Sequence, residues 1–137
     1  MRLAPLIAIG ALGLAGCGDS GSGEDSGSTP ASDQTRLTIS YRATPNSEPT
    51  IARVACDGNS RGKACRAVAR IPVVTWQPVP ADRVCTEIYG GPQTVRVAGM
   101  VAGRGIDADF SRVDGCEIDR WDEIAALLEA TGLTGAG

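Results

Sequence analysis

The sequence predicts an α+β domain: an antiparallel sheet of four to five strands with two helices packed on it, held by two disulfides. Three observations carry this reading. Several short segments alternate apolar and polar residues at the period of a strand. Two others place apolar residues at helical spacing, one before Pro72 and one at the C-terminal end. Four cysteines, Cys56, Cys65, Cys85 and Cys116, fall within the stretch that holds all these segments.

Taken in order, Leu37-Thr38-Ile39-Ser40-Tyr41 alternates as a half-buried strand does. Residues 44–49 contain two prolines and an Asn-Ser pair and form a loop. Residues 51–56 read as a second strand, and Asp57-Gly58-Asn59-Ser60-Arg61-Gly62 as a turn. From Lys63 to Ile71, the apolar Ala64, Val68 and Ile71 suit a short helix with Cys65 on or near its buried side, ended by Pro72. Trp76, Pro78 and Pro80 belong to an extended, stiffened connector. Residues 93–102 alternate cleanly, with Val95, Val97, Gly99 and Val101 on one face. Ala102-Gly103-Arg104-Gly105 is a hairpin signal, and residues 106–110 form the returning strand. Residues 113–116 form a turn that brings Cys116 back. The last element is the clearest helix: Asp119 is the expected N-cap, Asp122 and Glu123 sit in the first turn, and Gly132 follows the end. Trp121, Ile124, Ala125 and Leu128 share one face, the expected core face.

Before this domain lie Arg2 and an apolar run from Leu3 to Ala15, too short to span a bilayer and ending in small residues, as a secretory signal does. Leu14-Ala15-Gly16-Cys17 resembles the lipobox of bacterial lipoproteins. That resemblance implies cleavage before Cys17, a lipid on Cys17 and a chain anchored to the cell membrane outside the cytoplasm. Residues 1–16 are then the signal peptide, residues 17–35 the lipidated cysteine and a flexible linker, and residues 36–137 the domain. From Gly18 to Gln34 no aliphatic residue larger than alanine occurs, so the linker cannot bury enough surface to offset ordering entropy. About 100 residues remain, enough for one small domain that buries roughly 60–65% of its unfolded surface and benefits from covalent staples.

Composition narrows the chemistry. The net charge is −3 and basic residues are scattered, with no block and few aromatics, which argues against nucleic acid. No histidine occurs, so a Ser-His-Asp or Cys-His nucleophile pair and a histidine-ligated metal are excluded. Asp107 and Asp109 lack calcium-loop spacing and read as the solvated face of a strand. No catalytic constellation is left, and neither enzyme activity nor a cofactor is expected. Five cysteines occur; with Cys17 taken by the lipobox, four remain. They have no Cys-x-x-Cys spacing, which argues against a metal site. In an exported chain an even count implies two disulfides, with three pairings open.

The segment Val84-Cys85-Thr86-Glu87-Ile88-Tyr89, followed by the alternating strand, the glycine hairpin, the return strand and Gly115-Cys116-Glu117-Ile118, resembles the Streptomyces subtilisin inhibitor family. The resemblance covers residues 37–118. It implies the pairs Cys56–Cys65 and Cys85–Cys116, an actinobacterial source, and a substrate-like loop of Cys85, Thr86, Glu87, Ile88 and Tyr89 with Glu87-Ile88 as the reactive bond. In such inhibitors the loop fills a serine protease cleft as an extended strand would, and a disulfide beside the scissile bond spares ordering entropy on binding. A cut bond stays in place and can religate. By the same resemblance Glu87 enters the protease's primary pocket, Ile88 and Tyr89 lie on the leaving side, and a homodimer is expected. Glu87 stands where the family usually carries methionine or lysine. A carboxylate in an apolar pocket needs a partner charge, so of the two expected targets, a subtilisin-like or a Glu-selective serine protease, Glu87 fits the Glu-selective one better. Gly90-Gly91 replaces a stiffer turn and is expected to loosen the leaving side. Only eight residues separate Cys56 from Cys65, and the C-terminal helix and lipid anchor are additions. The two functional expectations are an envelope-anchored serine protease inhibitor and, alternatively, a lipoprotein binding module of the same fold without inhibitory activity.

Overall fold

A computed structural model describes residues 34–134 of the 137-residue chain. The expected signal peptide, Cys17 and residues 18–33 of the linker lie outside the described residues. Four strands, β1 (Thr35–Arg42), β2 (Thr50–Cys56), β3 (Thr94–Val101) and β4 (Arg104–Phe110), form one antiparallel sheet in the order β2-β1-β3-β4. Two helices, α1 (Lys63–Val68) and α2 (Gly115–Ala130), pack against each other and against its inner face.

Strand alternation sets that inner face. Thr35, Leu37, Ile39 and Tyr41 of β1 are buried, while Arg36 and Thr38 are exposed. The register then places Val97 beside Ile39, Val95 beside Tyr41, and Phe110 beside Val95. Against these sit Ala67 and Val68 of α1, Ile124, Leu127 and Leu128 of α2, and Leu133 beyond it. Burial of such side chains is worth about 1.5–3 kcal/mol each and supplies most of the drive to fold. The outer face carries Arg96 between Asp107 (2.8 Å) and Asp109 (3.7 Å), all exposed, so these pairs add little stability. Both aspartates thus stand on a solvated strand face, as the alternation predicts.

The β3–β4 connection is two residues long, and Ala102 (φ 48°) and Gly103 (φ 75°) both adopt the positive φ that tight hairpins require. The Gly103 amide donates to Gln34 O and the Ala102 amide to Thr35 Oγ1, which ties the start of β1 to this turn. Thr35, the last residue of the expected linker, is therefore already part of the sheet. After β2, Asp57 accepts hydrogen bonds from the Ser60 hydroxyl and the Asn59 amide, which hold its carboxyl below the ordinary value.

Three elements differ from the sequence expectation. The first helix ends at Val68, one turn before Ile71; Ile71 is buried all the same, its amide donating to Val68 O in a tightened last turn. Trp76 is not in an extended connector. It closes a 3-10 turn (Val73–Trp76) that buries Thr75 and Trp76, with the indole meeting Phe110 edge-on at 6.1 Å. The last helix starts five residues earlier than expected. Its N-cap is Asp114, whose Oδ1 accepts from the Glu117 amide at 2.9 Å, so Asp119 lies inside the helix and Cys116 in its first turn. Its core face is Cys116, Ile124, Leu127 and Leu128, with Ala125 and Trp121 only half-buried.

Candidate functional site

Residues 83–91 have no regular secondary structure, and they follow a connector containing Pro78 and Pro80 and precede β3. Such a segment stays ordered only if something outside it supplies partners for its backbone. Three ties do so here. Cys85 is bonded to Cys116 in the first turn of α2, with Cα atoms 5.4 Å apart. The Gly115 amide donates to Thr86 O at 2.9 Å. The Gly90 amide donates to Arg112 O at 2.7 Å. All three reach residues 112–116, which run from the short β4–α2 link into the first turn of α2.

Between the ties lie Glu87, Ile88 and Tyr89. They are exposed, and Ile88 and Tyr89 show 60% and 64% of their surface. None of the three makes a hydrogen bond or ion pair. Their backbone amides and carbonyls are not paired within the domain. Val84, on the other side of Cys85, is 96% exposed. Ile88 borders a shallow depression that Gly115, Cys116 and Ile118 also line. The structure thus brings the five expected loop residues together in one stretch, gripped at Cys85, Thr86 and Gly90 and open in between.

The glycines that follow are not slack. A Cβ on Gly90 would meet Ile118 Cδ1 at 3.0 Å and Arg112 Cβ at 3.2 Å. Gly91 has φ +135°, and a Cβ there would lie 2.3 Å from Gln93 Oε1. Gly90 thus lets the backbone lie close against Ile118 and Arg112, while the Gly91 contact is with the movable end of the Gln93 side chain.

Sequence reasoning missed Arg112. Its carbonyl holds Gly90, its Nη1 donates to Gln93 Oε1 at 3.4 Å, and its guanidinium lies 5.8 Å from the centroid of the Trp121 ring. A lone arginine between Ser111 and Val113 carries no periodic signal that would single it out.

The second disulfide, Cys56–Cys65, joins the end of β2 to the first turn of α1, far in sequence from the loop. Both bonds belong to an oxidising compartment. Among the described residues, one trio of potential metal ligands converges, Cys85, Asp114 and Cys116. Its two sulfurs are bonded to each other and its carboxylate caps α2, so it offers no thiolate. Among the described residues no helix is long and apolar enough to cross a membrane. No protein-family model, curated protein or solved structure matches the chain.

Proposed function

We propose that this chain is an envelope-anchored serine protease inhibitor, tethered by a lipid on Cys17 and acting through the Glu87-Ile88 bond. One observation carries the reading: Glu87, Ile88 and Tyr89 are exposed and unbonded while Thr86 and Gly90 on either side are hydrogen-bonded to the start of α2 and to the link before it, beside a disulfide. A protease cleft pairs with backbone groups of an extended segment and fills its pockets with alternate side chains. Here those groups are free and the flanks are already ordered, so little conformational entropy remains to be lost.

In the reaction the protease serine oxygen attacks the Glu87 carbonyl carbon. The Glu87–Ile88 bond breaks, and the proton passes through the protease base to the Ile88 amine. The Cys85–Cys116 bond and the Thr86–Gly115 hydrogen bond keep the acyl side in place, and the Gly90–Arg112 hydrogen bond keeps the amine side in place. Attack of the Ile88 amine on the acyl ester then reverses the cut faster than water completes it. Glu87 in the primary pocket selects an enzyme with a cation there.

The test is an inhibition assay of residues 17–137, carrying Cys17→Ser, against Glu-selective, subtilisin-like and trypsin-like serine proteases. Slow, tight inhibition with a cut confined to Glu87–Ile88 by mass spectrometry supports the reading. No inhibition of any of the three at micromolar concentration overturns it.

A second reading, a lipoprotein module that holds a non-protease partner, draws on Val73 and Val74, exposed apolar residues on the 3-10 turn outside the loop. Envelope pull-down recovering a non-protease whose binding survives Glu87→Pro would favour it.

A further inference from the structure

The amine side of the candidate bond is held by much less covalent structure than the acyl side. The acyl side has a disulfide; the amine side has one backbone hydrogen bond, from Gly90 to Arg112 O, and the close packing of Gly90 on Ile118 and Arg112. Whether the Ile88 amine remains beside the acyl carbon after a cut depends on what fixes the Arg112 carbonyl.

We infer that Arg112 is the positioning residue for the amine side, acting from backbone and side chain at once, and that it decides whether the cut loop is resealed or released. The inference rests on the inhibitor reading. Its basis is that three independent contacts converge on one residue. The Arg112 carbonyl accepts from Gly90 at 2.7 Å. Its Nη1 donates to Gln93 Oε1 at 3.4 Å, and Gln93 in turn lies against Gly91, where a Cβ would come within 2.3 Å of the amide oxygen. Its guanidinium sits over Trp121 of α2, the helix whose first turn holds Cys116. The arginine therefore links Gly90 and Gln93, on both sides of Gly91, to the helix that anchors the acyl side. Its Nε is buried without a hydrogen-bond partner, so the side chain keeps this position at the expense of one unsatisfied donor. Arginine suits the task because its planar group can stack on an aromatic face while its edge donates.

The step it governs is balanced in both directions. Cutting forms the ester between the Glu87 carbonyl and the protease serine, and the Ile88 nitrogen takes up a proton. Water on that ester gives the cut form, with a free Glu87 carboxylate and the serine hydroxyl restored; in reverse the serine re-forms the ester with loss of water, and the Ile88 amine, if it has stayed in reach, displaces the serine to form the amide again. Arg112 touches neither reacting atom. It sets the local concentration of the amine and so shifts the ratio of cut to intact inhibitor at equilibrium.

The experiment uses the full chain and a catalytic amount of a Glu-selective serine protease. The cut form keeps its two pieces joined by Cys85–Cys116, gains one water in mass and separates only on reduction, so mass spectrometry reads the ratio directly. Starting from cut and from intact protein must give the same ratio. Arg112→Ala is expected to raise it about tenfold, as the loss of a hydrogen bond and a cation–π contact implies, and to shorten the inhibition correspondingly. The initial association rate with the protease should stay unchanged, a combination that simple unfolding does not produce. Gln93→Ala removes one arm without disturbing the packing of Arg112 on Trp121. It should move the ratio in the same direction by a smaller factor, and it remains readable should Arg112→Ala not fold. Arg112→Lys keeps the cation and should restore part of the wild-type ratio. A wild-type ratio in both Arg112→Ala and Gln93→Ala, with the parent inhibiting, overturns this inference alone. A parent that neither inhibits nor is cut at Glu87–Ile88 overturns the inhibitor reading and this inference with it.

Discussion

The Gly115 amide donates a 2.9 Å hydrogen bond to Thr86 O, and the same glycine stands so close to the Thr86 side chain that a Cβ would lie 2.0 Å from Oγ1 and 3.3 Å from Cβ. Helix α2 therefore begins in contact with the residue that precedes Glu87. The loop is placed by the helix start, with the Cys85–Cys116 bond formed by the residue before Thr86 and the residue after Gly115.

Gly115→Ala tests that contact with opposing signs. Helix propensity alone favours alanine over glycine by up to about 1 kcal/mol. Crowding against Thr86 predicts a loss of about 1–2 kcal/mol instead, because rotating Oγ1 away still leaves the two Cβ atoms tight. Denaturant unfolding should show the loss, and Thr86→Ala in the same chain should recover part of it. Additive effects of the two substitutions would mean that the residues do not press on each other.

Glu87 is exposed and makes no hydrogen bond or ion pair, so replacing it should leave stability within about 0.5 kcal/mol of the parent. On the proposed inhibitor reading, target choice should change with it. Glu87→Lys is expected to weaken inhibition of a Glu-selective protease by roughly 10²–10³-fold, the effect of leaving a buried charge unpaired, and to create inhibition of a trypsin-like one. The pair of inhibition constants, set beside an unchanged melting temperature, checks this. Equal constants for both proteases before and after substitution would remove Glu87 from the pocket.

The two disulfides should separate stability from function. Their chain separations of 31 and 9 residues imply about 3.5–4 kcal/mol for Cys85–Cys116 and about 2.5–3 kcal/mol for Cys56–Cys65. Replacing each pair with alanines and measuring unfolding should give losses in that order. On the proposed inhibitor reading, loss of Cys85–Cys116 should also turn the chain into a substrate that is cut and released. Loss of Cys56–Cys65, which lies on α1 and β2, should leave inhibition intact wherever the domain remains folded.

What the sequence conveys, and what it conceals, follows from period and locality. Leu37, Ile39 and Tyr41, and Val95 and Val97, announce their strands because one face is buried and the other wet. The α2 start is concealed because Asp119 precedes a good apolar period, although Asp114 with Glu117 three residues later is the reciprocal-cap spacing and is itself visible. The 3-10 turn inverts the usual rule: Val73 and Val74 point outward and Thr75 inward, and a single turn has no period to read. The loop residues stand out through their cysteine. Arg112 does not, because its role comes from Gly90, Gln93 and Trp121, which only the fold assembles around it.

Gly99 and Gly105 face neighbouring positions of the same hairpin and should respond to substitution in opposite ways. Alternation places Gly99 among the apolar residues of β3, yet it is exposed, with φ +137°, and a Cβ would lie 2.0 Å from Arg36 O of β1. No side chain relaxes that clash, since the obstacle is backbone. Gly99→Ala should therefore cost about 2–4 kcal/mol, combining a strained dihedral with separation of the two central strands. Gly105 pairs with Met100, has no positive φ and no atom within 4 Å of its Cβ direction. Gly105→Thr should stabilise by about 0.5–1 kcal/mol, since a β-branched residue suits an exposed strand and narrows the unfolded ensemble. Melting temperatures of the two variants decide the matter. A tolerated alanine at 99 would mean that β1 and β3 do not approach as closely as their register demands, and the sheet that carries the loop would need a different pairing.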